Sequence, residues 1–66
     1  MQLIVNGEAR VLHGVPTVAD LVLELGLDRR KVAVERNLEI VPRSLHDQVR
    51  LAEGDRLEIV QFVGGG

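Results

Sequence analysis

The chain has 66 residues and a formal net charge of −2, which is enough for one small domain and no more. Hydrophobic residues make up 45% of it, as in folded proteins, and the negative balance gives no reason to expect nucleic acid or an anionic membrane as a partner. The absence of cysteine excludes a disulfide framework, a thiolate metal site and a cysteine nucleophile. With no apolar run of bilayer length and no signal-peptide pattern, we expect a soluble cytoplasmic domain.

The first 12 residues have the pattern of a β-hairpin. The apolar residues 3–5 lead into Asn6-Gly7, the pair that best accepts the positive φ angles of a tight turn, and residues 8–12 return as a second strand. A helix is predicted next, because Thr17 and Asp20 have the spacing of a capping box and Gly26 suits a left-handed C-terminal position. The apolar residues that recur on one helical face are Val18, Leu21, Val22 and Leu25.

The second half of the chain predicts three further strands. Residues 31–36 form one strand, with Val32 and Val34 on its buried side, and Asn37 turns the chain into a short edge strand over residues 39–41. Residues 43–51 are irregular and polar, with a helical turn near residues 44–47. A turn at residues 52–55 leads into the final strand, residues 56–63. The order of these elements predicts an α+β fold in which one helix packs across one sheet.

Three glycines, Gly64, Gly65 and Gly66, follow the final strand directly. Glycine has no Cβ and gains nothing by packing, so we expect a flexible tail at residues 64–66 beside a folded body at residues 1–63. A bare backbone ending in a carboxylate can enter a slot that excludes side chains. The alternative is a frayed end without a function, which is common at protein termini.

Several segments resemble the ubiquitin-like β-grasp sulfur carriers, and most closely the thiamine-pathway members of that family. They cover nearly the whole chain: residues 1–7, 16–21, 32–37, 40–43 and 53–66. The ending is the most specific segment, because Gly54-Asp55, an alternating strand and Phe62 precede the glycines. The resemblance implies a β-grasp fold, a mixed sheet of four to five strands crossed by one helix.

The same resemblance implies a function for the tail. In this family an ATP-dependent adenylating enzyme (ThiF-like) activates the terminal glycine carboxylate. Sulfur from a desulfurase then converts it to a thiocarboxylate, which a thiazole synthase (ThiG-like) uses to build the thiazole ring of thiamine. By position, Gly66 would carry the sulfur, Gly65 would thread the slot and Gly64 would add flexibility. The protein would then be a co-substrate and not an enzyme, with no cofactor of its own.

Phe62 is the only aromatic residue and lies near the end of the chain. If Leu57 and Ile59 face the helix, Glu58, Val60 and Phe62 lie on the opposite face of the strand and form a docking surface beside the tail. The alternative is that the strand twists and Phe62 caps the core.

The remaining polar groups predict no catalytic or metal site. His13 and His46 lack partners at metal-ligand spacing, and we interpret both as surface histidines. Residues 29–31 form a basic run that we interpret as a solvated face. The acidic residues that could steer a basic surface of the activating enzyme are Glu35, Glu39, Glu53, Asp55 and Glu58.

Three other functions fit the same tail. A molybdopterin-pathway carrier would donate its sulfur to a different large subunit. A protein modifier would be activated in the same way but would end as an isopeptide on lysine. A plain interaction domain would leave the tail unused.

Overall fold

A hairpin opens the fold, as predicted. The computed structural model describes residues 1–62, and in it β1 (Gln2–Val5) pairs antiparallel with β2 (Glu8–Val11) through a turn in which Asn6 and Gly7 have positive φ angles of 49° and 82°. Leu3 and Val5 of β1 are buried. All of β2 is exposed, because it lies at the sheet edge.

The helix α1 (Val18–Glu24) begins at the predicted capping box. The Thr17 hydroxyl accepts a hydrogen bond from the Asp20 backbone N–H at 3.2 Å, and the Asp20 carboxylate accepts one from the Thr17 N–H at 3.2 Å. Both bonds satisfy amides that a helix start leaves unpaired. Gly26 ends the helix with a φ of 75°, as predicted. The helix buries three of the four predicted residues and leaves Leu25 half-buried.

A second hairpin joins β3 (Val32–Arg36) to β4 (Glu39–Val41), preceded by a 3₁₀ turn at Arg29–Lys31. Val32 and Val34 are buried, and β4 is the predicted edge strand. The turn contains Asn37 and Leu38, both with positive φ. The sequence did not predict such an angle at Leu38, because leucine is a strained residue there.

The segment between β4 and β5 packs against the start of the helix. It begins with a 3₁₀ turn at Arg43–Leu45, close to the predicted helical turn. The Ala19 N–H donates to the His46 carbonyl at 2.7 Å, and the Leu51 N–H donates to the Pro16 carbonyl at 2.9 Å. These hydrogen bonds hold the irregular segment against one end of the core.

His46 is not the surface residue that we predicted. It is 1% exposed, and its Nε2 lies 3.2 Å from the Val41 carbonyl oxygen. A carbonyl only accepts, so Nε2 carries a proton and donates it to Val41. Its Nδ1 has no hydrogen-bond partner within residues 1–62. Burial lowers the pKa of His46, and the charges of the nearby Arg29 and Arg43 lower it further. The hydrogen bond to Val41 and, to a smaller extent, the charge of Asp47 raise it, but the net change is downward. His13, in contrast, is exposed as predicted.

We expect this buried ring to make the protein less stable in acid. Because the folded-state pKa lies below the usual 6.5, the unfolded chain takes up the proton first, and stability present above about pH 6.5 is lost as the pH falls below it. One such group changes the free energy of unfolding by at most about 1.4 kcal/mol per pH unit. The free energy of unfolding measured with urea should fall between about pH 7.5 and pH 5.5 by no more than about 1.4 kcal/mol, and this fall should be absent in His46→Gln. His13→Gln is the control, because His13 is exposed, and it should lose as much stability in acid as the parent chain. If His46→Gln loses as much stability as the parent chain, the prediction is wrong.

The last strand, β5 (Arg56–Gln61), is inserted between the two hairpins. It runs parallel to β1 and antiparallel to β3, which gives the sheet order β2-β1-β5-β3-β4. Leu57 and Ile59 face the helix and are buried, as predicted. The helix covers one side of this mixed sheet, and in residues 1–62 nothing covers the other side, which we call the open face. The core comprises Leu3, Val5, Val15, Val18, Leu21, Val22, Val32, Val34, Val41, Leu51, Leu57 and Ile59. Within the described residues, no helix has the length and apolar character needed to cross a membrane.

Candidate functional site

The end of β5 presents three of the predicted site residues on the open face. Val60 is 59% exposed, Phe62 is 49% exposed and Glu58 is partly exposed. Phe62 is therefore not part of the buried core, and all three side chains are at least partly exposed, as a docking surface requires. Their role in docking stays a prediction. The predicted tail residues Gly64, Gly65 and Gly66 lie outside the described residues, as does Val63.

Backbone hydrogen bonds hold β5 in place up to Phe62. The Phe62 N–H donates to the Lys31 carbonyl at 2.7 Å. On the other side of the strand, the side-chain amide of Asn6 binds Ile59 at two points: its Oδ1 accepts from the Ile59 N–H at 2.7 Å, and its Nδ2 donates to the Ile59 carbonyl at 3.1 Å. The Asn6 side chain thus replaces a strand partner where β1 has already turned away. The sequence suggested only a turn role for Asn6, and nothing local could have indicated this contact.

A buried carboxylate holds the start of β5. Asp55 is 7% exposed and accepts hydrogen bonds from Arg36 Nε at 2.8 Å, from the Ala52 N–H at 2.8 Å and from Asn37 Nδ2 at 3.1 Å. The prediction that Asp55 could steer a partner is therefore wrong, because its charge is buried and paired within the domain. Burial by itself raises the pKa of Asp55, but the bonds from Arg36, Ala52 and Asn37 outweigh it and hold that pKa below 3.8.

Two further open-face residues were not among the predicted docking residues. Glu35 lies directly opposite Glu58 in the β3–β5 register, and Ile40 lies directly opposite Glu35 in the β3–β4 register. Ile40 is 70% exposed. The alternation of β3 already placed Glu35 away from Val32 and Val34, but the pairing of β3 with β5 could not be read from either strand alone.

Part of the basic run at residues 29–31 makes polar contacts within the domain. Arg30 forms an ion pair with Asp28 at 3.0 Å, and hydrogen bonds from Arg30 lower the pKa of the Asp28 carboxyl to about 2. The Arg29 carbonyl accepts a hydrogen bond from Arg43 Nε at 3.2 Å. The side chain of Arg30 remains largely exposed, which agrees with the prediction of a solvated face.

No set of three or more His, Asp or Glu side chains in residues 1–62 is placed to hold a metal ion. Within the same residues, the hydrogen bond recorded for the His46 ring joins Nε2 to the Val41 carbonyl oxygen and involves no side-chain nucleophile. The candidate site is the exposed surface of Glu58, Val60 and Phe62 at the end of β5.

Three relatives in sequence bear on this arrangement. The chain is 59% identical to a thiazole synthase from Paramagnetospirillum magneticum and 41% identical to one from Magnetococcus marinus, each over 66 residues. These matches cover 100% of this chain but 20% of either relative, so the chain spans about a fifth of their length. It is also 44% identical over 50 residues to the sulfur carrier protein ThiS from Bacillus subtilis, which covers 76% of each chain.

Solved structures and a family model agree with these relatives. A crystal structure of the thiamine biosynthesis protein ThiS from Geobacter metallireducens matches with a TM-score of 0.83 at 33% identity, over 100% of both chains. A solution structure of a thiamine biosynthesis protein from the same organism matches with a TM-score of 0.81, over 100% of this chain and 88% of the other. The fold is the ubiquitin-like β-grasp, a five-stranded mixed sheet with one helix, as predicted. The ThiS family model matches residues 3–66, and the chain belongs to the ThiS family.

Proposed function

We propose that this protein is a sulfur carrier of thiamine biosynthesis whose C-terminal glycine is converted to a thiocarboxylate. The observation that carries the proposal is the family match over residues 3–66, which includes the glycines that follow β5. Residues 1–63 would be the folded body, and residues 64–66 the tail that other proteins modify. The protein would be a co-substrate that catalyses no step itself.

The proposed chemistry turns a poor electrophile into a sulfur donor. The Gly66 carboxylate attacks the α-phosphorus of ATP in the site of an adenylating enzyme, and pyrophosphate leaves. A protein persulfide, whose outer sulfur a desulfurase takes from cysteine, then attacks the acyl carbon, and AMP leaves. A thiol reductant cleaves the S–S bond of the resulting acyl disulfide, which releases the thiocarboxylate and leaves a mixed disulfide. Gly65 and Gly64 would let the backbone pass through a slot too narrow for side chains. Because ATP is the activating reagent, we place these steps in the cytoplasm.

A thiazole synthase is the proposed acceptor of the sulfur. The support is that two relatives named thiazole synthase contain a segment like this chain as a fifth of their length. A carrier domain joined to such an enzyme would deliver its sulfur at high effective concentration. As a separate chain, the carrier would instead need a docking surface beside its tail.

Glu58, Val60 and Phe62 are the proposed docking residues. They are partly or largely exposed on the open face, on the strand that leads to the tail. Exposed apolar side chains grouped in this way are typical of binding sites, and aromatic residues commonly dominate the binding energy.

Replacing Phe62 with alanine should weaken binding to the adenylating enzyme at least about tenfold. The fold should be nearly unaffected, because the side chain is about half exposed and lies outside the core. Titration calorimetry would measure the binding, and thermal unfolding would measure the stability. Leu23→Ala is the matched control, since it removes an exposed apolar side chain from the helix on the opposite side of the protein. Equal affinities for Phe62→Ala and Leu23→Ala would contradict the docking role.

The mass of the intact protein tests the proposed function itself. After incubation with ATP, the adenylating enzyme, a desulfurase and cysteine, replacement of one oxygen by sulfur should add about 16 Da. A terminus that stays unmodified under these conditions, or one found joined to lysines of other proteins, would overturn the proposal.

A further inference from the structure

One edge of the sheet is open to pairing with another strand. β2 is the outermost strand in the order β2-β1-β5-β3-β4, and all four of its residues are exposed. Within residues 1–62, β1 is the one strand that pairs with it. An edge strand with unpaired backbone groups is a template for another strand, and proteins usually block such edges. The edge at β2 therefore needs either a blocking feature or a partner.

The outward-facing backbone groups of β2 are those of Ala9 and Val11. In an antiparallel pair, alternate residues direct both their N–H and their C=O toward the same neighbouring strand. The Leu12 N–H donates to the Met1 carbonyl at 2.9 Å, so Leu12 and every second residue before it face β1. The residues between them point their backbone donors and acceptors away from the sheet. These groups are positioned to pair with a further antiparallel strand.

The opposite edge of the sheet is blocked, whereas the edge at β2 is not. β4 has three residues and is followed directly by Pro42, which has no N–H to donate. β2 contains no proline, and its register with β1 runs from Val5↔Glu8 to Gln2↔Val11 without a bulge. Of the common ways of protecting an edge, β2 has charged side chains alone.

Those charges complement the charges of a second copy of the same strand. Glu8 and Arg10 share one face of β2, opposite Val5 and Leu3, and neither forms an ion pair in the described residues. In an antiparallel pair of β2 strands centred on Ala9, each Glu8 lies opposite the Arg10 of the second copy. Opposite charges at such positions stabilise a sheet. The same register brings the outward backbone groups of the two Ala9 residues together. A register centred on Arg10 would instead place like charges opposite each other.

We propose that two copies of this chain pair through β2, antiparallel about a two-fold axis at Ala9. The five strands of each copy would then form one continuous sheet of ten. Because each copy contributes the same edge, the contact closes at a dimer and does not propagate. Pairing at an edge leaves the faces of a sheet uncovered, and β1 separates β2 from β5. The dimer therefore leaves the candidate site of each copy exposed, and the proposal is independent of the proposed function.

Sedimentation equilibrium of the parent chain is the first test. A four-residue edge buries little area, so we expect a weak monomer–dimer equilibrium with a dissociation constant of roughly 0.1–1 mM. Ala9→Pro removes an outward-facing N–H and keeps both charges, so it should weaken the dimer at least about tenfold. Circular dichroism would establish that this variant is folded.

Two charge reversals test the register without relying on proline. Glu8→Arg and Arg10→Glu each place like charges opposite each other at both positions of the dimer, so each alone should associate at least about tenfold more weakly than the parent. In an equimolar mixture of the two variants, both positions again pair opposite charges. The mixed dimer should therefore be at least about tenfold tighter than either variant alone. Glu39→Arg is the matched control, because it makes the same charge change at an exposed position on the opposite edge.

Three results would overturn the proposal. The first is a parent chain that remains monomeric up to about 2 mM, well above the expected dissociation constant. The second is a mixture of Glu8→Arg and Arg10→Glu that associates no more tightly than either variant alone. The third is a Glu39→Arg chain that loses as much self-association as Glu8→Arg. The mixture decides the matter even if Ala9→Pro fails to fold, because both of its members change exposed side chains.

Discussion

Replacing Asp55 with alanine should lower the free energy of unfolding by about 3 kcal/mol. The Asp55 carboxylate is buried and accepts bonds from Arg36, Asn37 and the Ala52 N–H. Its removal leaves a partly buried guanidinium and an amide without their acceptor. Removing one member of a buried network costs more than the network contributes, because the remaining groups stay desolvated.

The size of the domain makes this effect easy to detect. A chain of this length has a net stability of roughly 3–5 kcal/mol, so Asp55→Ala should retain no more than about 2 kcal/mol of stability. Urea unfolding followed by circular dichroism would measure the loss. Asp55→Asn should lose less, because the amide retains an acceptor oxygen.

Glu53→Ala is the control, since it removes an exposed carboxylate from the same turn. Its effect should stay below about 1 kcal/mol. If Asp55→Ala and Glu53→Ala lose the same stability, then the buried network does not hold the start of β5.

The local elements of this fold could be predicted because their signals lie within a few residues. The alternation of Leu57 and Ile59 placed one face of β5 against the helix, and the capping box at Thr17 and Asp20 placed the helix start. The same alternation put Val60 and Phe62 on the open face. These features depend on periodicity and on contacts three or four residues apart, which a single sequence displays directly.

The contacts that fix β5 could not be predicted, because they join distant parts of the chain. Asn6 binds a strand residue 53 positions away, and Arg36 pairs with Asp55 across 19 positions. Each side chain also had a simpler local interpretation, a turn residue for Asn6 and a surface acid for Asp55. The prediction that His46 lies on the surface was wrong for a similar reason. A polar residue in an irregular segment is usually exposed, but backbone bonds fold this segment over the core.

The positions of Glu35 and Glu58 show how these two kinds of information combine. Strand alternation predicts which side of the sheet each residue occupies, and only the sheet register shows that they are opposite one another. Of the five acids predicted to steer a partner, Asp55 is buried in the structure and the other four are at least partly exposed.

Deleting Gly65 and Gly66 should abolish sulfur loading while leaving the domain folded. Every core residue in the described part of the chain lies at or before Ile59, so we expect the melting temperature to change by no more than about 1 °C. The proposed docking residues Glu58, Val60 and Phe62 are retained, so binding to the adenylating enzyme should persist in part. Intact mass after incubation with ATP, both enzymes and cysteine should show no gain of sulfur.

Single alanine substitutions test whether the tail must be a bare backbone, whereas the deletion tests whether it must have its full length. Gly65→Ala keeps the terminal carboxylate and adds one Cβ, so it should slow adenylation strongly if the tail threads a narrow slot. Gly64→Ala is the matched control and should have the smaller effect, because it lies farther from the reacting carbon. If the truncated chain, which ends at Gly64, still carried sulfur, Gly66 would not be the required sulfur-carrying residue. If Gly65→Ala slowed adenylation no more than Gly64→Ala, the tail would not thread a slot that is narrowest at Gly65.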